Sequence, residues 1–297
     1  MRSFVEHWAG DFADNIKVLP YFAIQNQPKL PVGTYVFSDL ERTTADQRSY
    51  LGRIYQRLKT AIDPRALVNH PMDSLRRYEL LLALRQRGIN AFSAYWAMRV
   101  PEQLNYPVFL REENRHNGNV SPLVDDLETL NDAIRKAVDG GIALENLLIV
   151  EFCDTKGEDG LYRKYSSFRI GDTILPRHIL YSHNWMLKDE DILEPVHRLE
   201  IREYCRENPH EQELMNIFKL ANIDYGRIDY ALLDGKIQVW EINTNPLTLK
   251  PPAQYADFSI EFHTEFAERF KHALAQPDVA GNATQNMVIR PRRPVSR

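Results

Sequence analysis

The stretch of sequence that decides the fold is Gly226-Arg-Ile-Asp-Tyr-Ala-Leu-Leu-Asp-Gly-Lys-Ile-Gln-Val-Trp-Glu-Ile-Asn-Thr-Asn-Pro246. Apolar and polar residues alternate on both sides of Asp234-Gly235, a pair that is typical of a tight turn between two β-strands. Glu241 and Asn243 are two residues apart, so both point to one face of the second strand. Together with Asp229 on the first strand, they offer oxygen ligands that suit a hard cation such as Mg²⁺. The alternative is an ordinary hairpin with a solvated polar end.

The geometry of the turn decides whether these oxygen-bearing side chains share a face. A two-residue Asp234-Gly235 turn would direct Asp229 away from Glu241, because one residue of slip moves every side chain to the other face. A three-residue Leu233-Asp234-Gly235 loop, with Gly235 left-handed in a bulge, places Asp229 on the face of Glu241. A shared metal site therefore needs the second arrangement, and we predict this bulged turn.

Length and composition exclude several classes of protein. The chain has 297 residues, which allows two or three lobes, and its net charge of −4 argues against a broad nucleic-acid-binding surface. No stretch approaches the roughly 20 apolar residues that span a bilayer, and residues 1–8 are too polar for a secretory signal peptide. Cys153 and Cys205 are the only cysteines, too few for a disulfide framework or a cysteine-rich zinc site. We therefore expect a cytoplasmic protein that contacts neither membrane nor nucleic acid.

Strand-like and helix-like segments alternate along the chain, which predicts an α/β or α+β fold. The predicted strands outside the hairpin are 34–37, 66–68, 107–111, 147–152, 168–170 and 173–175. The predicted helices are 44–61, capped by Thr43 or Thr44, 75–87, capped by Ser74, 123–138, 211–221 and 258–275. Residues 1–33 are expected to be irregular, and the polar, proline-containing segment from residue 276 onward is expected to be a loose tail.

Several arginines lie at positions where a positive charge needs a partner, namely the first turn of a helix and the end of a strand. Arg76 and Arg77 fall in the first turn of a predicted helix, where positive charge opposes the helix dipole. A bound phosphate would explain them, and so would contact with solvent or a carboxylate. Arg111, which ends a strand before the polar loop 112–119, is open to the same two interpretations. His116 in that loop is interpreted as an exposed ring rather than as a base.

The hairpin resembles the metal site of the ATP-grasp superfamily, especially its glutathione-synthetase-like branch of carboxylate-amine ligases. That family carries an Asp on one strand and a Glu-x-Asn on the next, which Asp229, Glu241 and Asn243 match in type and spacing. The resemblance implies that these three residues bind Mg²⁺ ions. It also implies that Arg77 and Arg111 stand where the family has two phosphate-holding lysines.

The same resemblance assigns residues to the nucleotide and to the transferred group. The segment 150–154 is similar to the family's adenine-binding hinge, in which backbone groups of Phe152 and Cys153 would read the base and Asp154 would reach the ribose. Arg163 and Arg177 are the candidates for meeting the transferred phosphate or the acyl-phosphate, and Arg177 is the one we choose for holding the carboxylate or the acyl-phosphate. The full set of residues that the resemblance places around ATP is Arg77, Arg111, Gly118, Glu151, Phe152, Cys153 and Asp154. The cation-rich segment 161–169 is either part of an anionic substrate pocket or a solvated edge.

The resemblance further implies an ATP-grasp fold. Its parts would be an N-terminal lobe (1–88), a central lid lobe (89–150), a C-terminal lobe (151–276) that holds ATP against the lid lobe, and a tail (277–297). The implied activity joins a small-molecule or peptide carboxylate to an amine through an acyl-phosphate, consuming ATP, and a homodimer is the default assembly. Two alternatives stay open. One is a kinase with the same fold that phosphorylates a small-molecule acceptor, and the other is a non-catalytic nucleotide-binding protein in which the replacement of both family lysines by arginines has cost turnover.

Overall fold

A computed structural model describes residues 1–25, 29–31, 33–116, 118–187, 190–275 and 286–288. The helices are α1 (Arg2–His7), α2 (Tyr21–Gln25), α3 (Ala45–Lys59), α4 (Arg77–Gln86), α5 (Leu127–Asp139), α6 (Pro195–Glu207), α7 (Glu211–Leu220) and α8 (Ile260–Ala275). The strands are β1 (Lys29–Pro31), β2 (Tyr35–Val36), β3 (Leu67–Val68), β4 (Ala94–Trp96), β5 (Val108–Glu112), β6 (Leu147–Glu151), β7 (Tyr162–Ile170), β8 (Thr173–Ser182), β9 (Tyr225–Leu233), β10 (Lys236–Asn243) and β11 (Asn286–Val288). The predicted mixed α/β class is confirmed.

Two antiparallel sheets dominate the architecture. One has four strands in the order β10-β9-β7-β8, and the other has three in the order β4-β6-β5. A short parallel pair joins β2 to β3, and β1 pairs with β11. The strongly apolar β6 lies in the centre of its sheet, where it is buried on both faces along its whole length.

Each of the two main sheets packs against helices. One face of the four-stranded sheet forms a core with α6 and α7, in which Tyr230 and Phe218 are fully buried. Part of its other face packs against α1 and α8, through contacts of Phe168 with Phe270. The three-stranded sheet buries one face against α5 and turns the other toward the end of β10. The part of the four-stranded sheet that carries Leu233 and Trp240 therefore faces the three-stranded sheet.

The helix boundaries follow local hydrogen bonding where the sequence offers a clear cap. Thr44, one of the two predicted caps, caps α3, and its side chain and that of Gln47 form a reciprocal capping box. The prediction that Ser74 caps the next helix is wrong. α4 begins at Arg77, and the Ser74 hydroxyl instead donates to the carbonyl of Asn222 at 2.9 Å.

Other predicted segments differ from the observed ones. The N-terminal segment, expected to be irregular, contains α1 and α2, and α6 was not predicted at all. The expected loose tail lies outside the described residues except at β11, which forms a strand. Every helix within the described ranges is too short or too polar to serve as a membrane span.

Candidate active site

The hairpin that opened the sequence argument has a two-residue turn, so the predicted three-residue turn is wrong. Lys236 pairs with Leu233, which leaves only Asp234 and Gly235 in the turn. Both turn residues have positive φ, 49° and 74°, the backbone conformation that a tight turn between twisted strands requires. Asp-Gly suits this turn because Gly adopts the left-handed conformation freely and Asp tolerates it.

The extra residue that brings the acidic side chains together lies in β10 itself. Pairing runs regularly to Val239 opposite Tyr230, and then Glu241 lies opposite Asp229, so Trp240 is bulged out of the ladder. A bulge changes which face the following residues occupy. Asp229 and Glu241 therefore share a face, as the shared metal site requires. The cause is a bulge within β10 and not the predicted bulged turn.

Burial of apolar side chains explains the position of the bulge. Ile237, Val239 and Ile242 all lie in the core beneath the sheet, which strict alternation cannot achieve. The bulge also lies at the open edge of the sheet, where Asn90 donates to the Val239 carbonyl at 3.0 Å and accepts from the Val239 amide at 2.9 Å. Asn90 thus satisfies backbone groups next to the bulge that no neighbouring strand could reach.

A cavity of about 270 Å³ lies between the two main sheets. Its lining has an aromatic part, in which Trp185 contacts Phe109 and Phe152 with ring centroids 5.0 and 5.4 Å apart. Its other part is charged. The predicted site residues among its lining are Arg111, Gly118, Phe152, Cys153, Arg163, Asp229, Glu241 and Asn243. The structure therefore brings all three predicted metal ligands to one cavity.

Glu241, on the four-stranded sheet, forms ion pairs with cationic side chains from the opposite side of the cavity. Its Oε2 accepts from Arg111 at 2.6 Å and from Arg77, which reaches it from the start of α4. His116 Nδ1 lies 3.2 Å from the same oxygen. Burial by itself raises the pKa of Glu241, but Arg111 and Arg77 outweigh it and hold the pKa well below the ordinary value. Burial and the nearby charge of Arg77 in turn lower the pKa of Arg111 to about 10.

The candidate phosphate-binding arginines thus have a carboxylate partner in this structure. Arg77 also donates to the carbonyl groups of Glu112 and Glu113 and so supports the loop after β5. Arg76, its neighbour, pairs with the buried carboxylate of Glu113. Of the two explanations for these cations, the carboxylate partner is the one that the structure shows.

Asp229 is held by groups of its own sheet. Arg227, two residues earlier on β9, donates to both carboxylate oxygens at 2.9 and 3.0 Å. Ser166, directly opposite on β7, donates to Oδ1 at 2.8 Å. Asp229 is only 4% exposed, and these hydrogen bonds replace the hydrogen bonds to water that its carboxylate loses on burial.

The donor set can be judged against a magnesium ion. Two buried carboxylates face each other on adjacent strands, and Asn243 follows on the same face; such hard oxygen donors suit Mg²⁺. Among the residues that the structure describes, no cluster of three or more His, Cys, Asp and Glu side chains forms a metal cage. That result is expected for Mg²⁺, because proteins commonly bind it through one or two carboxylates together with phosphate oxygens. The residues are therefore of the chemical type that fits the ion. In this structure, Glu241 is paired with Arg77 and Arg111, and Asp229 with Arg227. Asn243 Oδ1 accepts from the Asn245 amide at 2.8 Å.

The predicted adenine hinge is divided between the cavity and the protein interior. Phe152 and Cys153 line the cavity, and the Phe152 amide donates to the Pro107 carbonyl at 2.9 Å. Glu151 is buried, and its carboxylate accepts from the Ser93 amide at 2.8 Å. Asp154 is exposed and accepts from a backbone amide two residues later. The two middle residues are thus placed to meet a ligand directly.

The two arginines predicted to hold the transferred group lie in different surroundings. Arg163 lines the cavity and is paired with Asp159 at 2.7 Å and Glu200 at 3.1 Å. Arg177 is 6% exposed, lies 4.7 Å over the ring of Phe266 and donates to the Thr248 carbonyl at 3.3 Å. Arg163 is therefore in the cavity, and Arg177 anchors the segment after β10 beneath α8.

The cation-rich segment 161–169 contributes to the cavity wall at one end only. Tyr162, Arg163 and Lys164 line the cavity, and Lys164 donates to the Leu187 carbonyl at 2.8 Å. Arg169 lies away from it and pairs with Asp224 at 2.9 Å. The pocket interpretation therefore holds for the first half of the segment.

Sequence reasoning missed several residues of the site. Arg227 precedes Asp229 by two residues on one strand, so strand periodicity alone would have placed both on one face. The interpretation of His116 as an exposed ring is wrong, since its side chain is 15% exposed and lies between Glu41 and Glu241. Trp185 comes from a loop with no readable motif, and only the tertiary structure brings it to the cavity.

No protein-family model matches the chain, and no curated protein matches it. Among solved structures, it is similar to an L-amino acid ligase from Bacillus licheniformis, with 19% identity over 59% of this chain and 41% of that one, and a TM-score of 0.38. It is also similar to D-alanine-D-alanine ligases from Helicobacter pylori (15% identity, 77% and 67% covered, TM-score 0.42) and from Bacillus anthracis complexed with ATP (15%, 74% and 76%, 0.42). The chain thus spans about two fifths of the first structure. Because all three TM-scores are low, the functional argument rests on the cavity.

Proposed function

We propose that the protein is an ATP- and Mg²⁺-dependent ligase of the ATP-grasp type that joins a carboxylate to an amine. The observation that carries this proposal is the single cavity between two sheets that combines Asp229, Glu241 and Asn243 with Arg111 and an aromatic wall. Such a combination suits a nucleotide, because a base packs on aromatic rings while phosphates and their metal meet charged groups.

The two ends of the cavity suggest how the nucleotide is oriented. The base would lie against Phe109, Phe152 and Trp185, where the Trp185 ring contacts each of the two phenylalanine rings. The phosphates would lie at the other end, where Arg111 lines the cavity and Arg77 lies behind it. Guanidinium groups bind phosphate oxygens in a bidentate manner, so phosphate can compete with the carboxylate of Glu241 for these side chains.

The proposed chemistry requires charge neutralisation more than covalent participation by the protein. A substrate carboxylate takes the γ-phosphoryl group of ATP, which gives ADP and an acyl-phosphate, and an amine then displaces phosphate to form the amide. Asp229, Glu241 and Asn243 would hold Mg²⁺, which when bound neutralises charge on the phosphate oxygens. Arg111 and Arg77 would add fixed positive charge around the same oxygens. Arg163, which lines the cavity, is our candidate for meeting the substrate carboxylate, whereas Arg177 lies outside the cavity lining.

A coupled ADP-release assay with pooled carboxylic acids and amines, followed by mass spectrometry of the product, tests the proposal. An amide product together with ADP and free phosphate supports the ligase. A stable phosphoester would identify a kinase instead, and tight ATP binding without ADP formation against any acceptor would identify a nucleotide-binding protein.

Paired arginine variants test the assignment of the phosphate end. Arg111→Met should weaken binding of Mg·ATP about tenfold or more, because it removes a charge-assisted contact, and Arg111→Lys should restore part of the affinity. Arg135→Met, on the exposed surface of α5, is the matched control and should bind Mg·ATP like the wild type. Equal nucleotide affinity in all three variants would place the phosphates elsewhere.

A further inference from the structure

The N-terminal segment, here residues 1–25 and 33–42, contacts the candidate active site through one residue, Glu41. It lies in a short 3₁₀ helix, Leu40–Arg42, outside both main sheets, and is only 6% exposed. Its carboxylate accepts from the amide of Thr244 at 3.1 Å and from the Thr244 hydroxyl at 2.5 Å. Glu41 therefore binds, through two hydrogen bonds, the residue that directly follows the candidate metal ligand Asn243.

The same carboxylate also contacts the loop that follows β5. We call residues 113–116 and 118–119 the lid loop, because Gly118 and Asn119 line the cavity. His116 Nε2 lies 3.2 Å from Glu41 Oε1, while Nδ1 of the same ring lies 3.2 Å from Glu241 Oε2. The imidazole thus bridges two buried carboxylates that come from distant parts of the chain.

The charges around Glu41 make His116 its main counter-ion. Within the described part of the chain, the only ion pair of Glu41 is the one with His116. Burial alone raises the pKa of Glu41, but hydrogen bonds from His116 and Thr244 outweigh it and leave the pKa below its ordinary value. A buried carboxylate with one cationic partner holds that partner firmly, because separating them would leave a charge without compensation.

We propose that Glu41 is a positioning residue that latches the lid loop onto the active site. Through His116 it keeps the lid loop against Glu241, and through Thr244 it keeps the segment after Asn243 at the same point. The N-terminal segment would thereby order the two strand ends that meet the phosphates. The nucleotide part of this inference rests on the proposed function, whereas the ordering of the loop does not.

Hydrogen exchange followed by mass spectrometry tests the latch without any ligand. Glu41→Gln keeps an acceptor for the Thr244 amide but removes the negative charge that holds His116. We expect amides of the lid loop to exchange roughly tenfold faster in this variant, the loss that corresponds to one charge-assisted hydrogen bond. The matched control is Glu112→Gln, which removes a charge paired with the largely exposed Arg115 and should change the same rates by less than about twofold.

Nucleotide affinity supplies a second measurement that a merely structural role would not change. Measured well below the melting temperature of every variant, Glu41→Gln should weaken binding of the non-hydrolysable analogue β,γ-imido-ATP with MgCl₂ several-fold, and Glu41→Asp should recover part of it. A lower melting temperature with wild-type lid exchange would overturn the proposal. If Glu41→Gln does not fold, His116→Gln must raise lid exchange from the other side of the contact, and unchanged rates there would also overturn it. Wild-type protein that fails to bind the analogue would refute the proposed function and leave the exchange comparison to decide the latch.

Discussion

Asp229 and Glu241 face each other on adjacent strands, yet the protein holds them in different ways. Asp229 is paired within its own sheet, by Arg227 on the same strand and Ser166 on the next. Glu241 is paired across the molecule, by Arg77 and Arg111 from the other side of the cavity. The partners of Asp229 therefore come from its own and the adjacent strand. The partners of Glu241 reach it only because the three-stranded sheet and α4 pack against β10.

The largest effect is expected from Glu241→Gln. Loss of this charge leaves two buried guanidinium groups without their carboxylate, which should lower the free energy of unfolding by roughly 3 kcal/mol. Under the proposed function it should also abolish ADP release, since Glu241 would be a ligand of Mg²⁺. Chemical denaturation and the ADP assay measure the two effects, with Glu213→Gln on the exposed face of α7 as the control. Wild-type turnover in Glu241→Gln would show that the metal assignment is wrong.

A smaller loss of stability is expected from Asp229→Asn. The amide oxygen can still accept from Ser166. The Arg227 side chain is 19% exposed, against 3% for Arg77, so solvent can compensate part of its charge and the cost should be roughly 1–2 kcal/mol. ADP release should nevertheless be lost as fully as in Glu241→Gln. Equal destabilisation by the two substitutions in denaturation experiments would erase the distinction between local and long-range pairing.

Acid should weaken the long-range pairing selectively. The pKa of Glu241 is lower in the folded protein than in the unfolded chain, so its contribution to stability is complete above the unfolded value of about 4.3. That contribution is lost as pH falls through this value toward the lower folded pKa, because protonation removes the charge that holds Arg111 and Arg77. Denaturation measured between pH 7 and pH 3 should show a steeper loss below about pH 4 in the wild type than in Glu241→Gln. Parallel curves would contradict the pairing.

The smallest effect concerns the turn between β9 and β10. Gly235 has a φ of 74°, and a Cβ atom there would meet no other atom within 4 Å. Gly235→Ala should therefore cost only the strain of a left-handed backbone, about 1 kcal/mol, with ADP release unchanged. Gly33→Ala, where φ is not positive and space is also open, is the control for denaturation. A large loss of activity in Gly235→Ala would mean that the turn, rather than the bulge at Trp240, positions the carboxylates.

The hairpin shows how far sequence reasoning reached. Alternation and the Asp-Gly pair identified both strands, and spacing selected the three oxygen-bearing side chains that line one cavity. The predicted position of the extra residue was wrong, because the bulge lies within β10 and not in the turn. The spacing of Ile237, Val239 and Ile242 held the missing signal, since three core residues at intervals of two and three cannot share a face without a bulge.

Other parts of the site were beyond the reach of local patterns. His116 and Glu41 are separated by 75 residues, and each has an unremarkable sequence context, so nothing local indicates that they meet. Trp185 likewise joins Phe109 and Phe152 only because the loop after β8 folds over the edge of the three-stranded sheet.

By itself, the sequence determined the alternation of strands and helices, the threonine cap of α3 and the residue types of the candidate ligand set, because these depend on residue type and short-range spacing. Only the tertiary structure decided which cations face Glu241, where the bulge lies and how the N-terminal segment enters the site. The physical reason is that buried charges must find partners wherever the packed chain brings them, and that packing depends on contacts far apart in sequence.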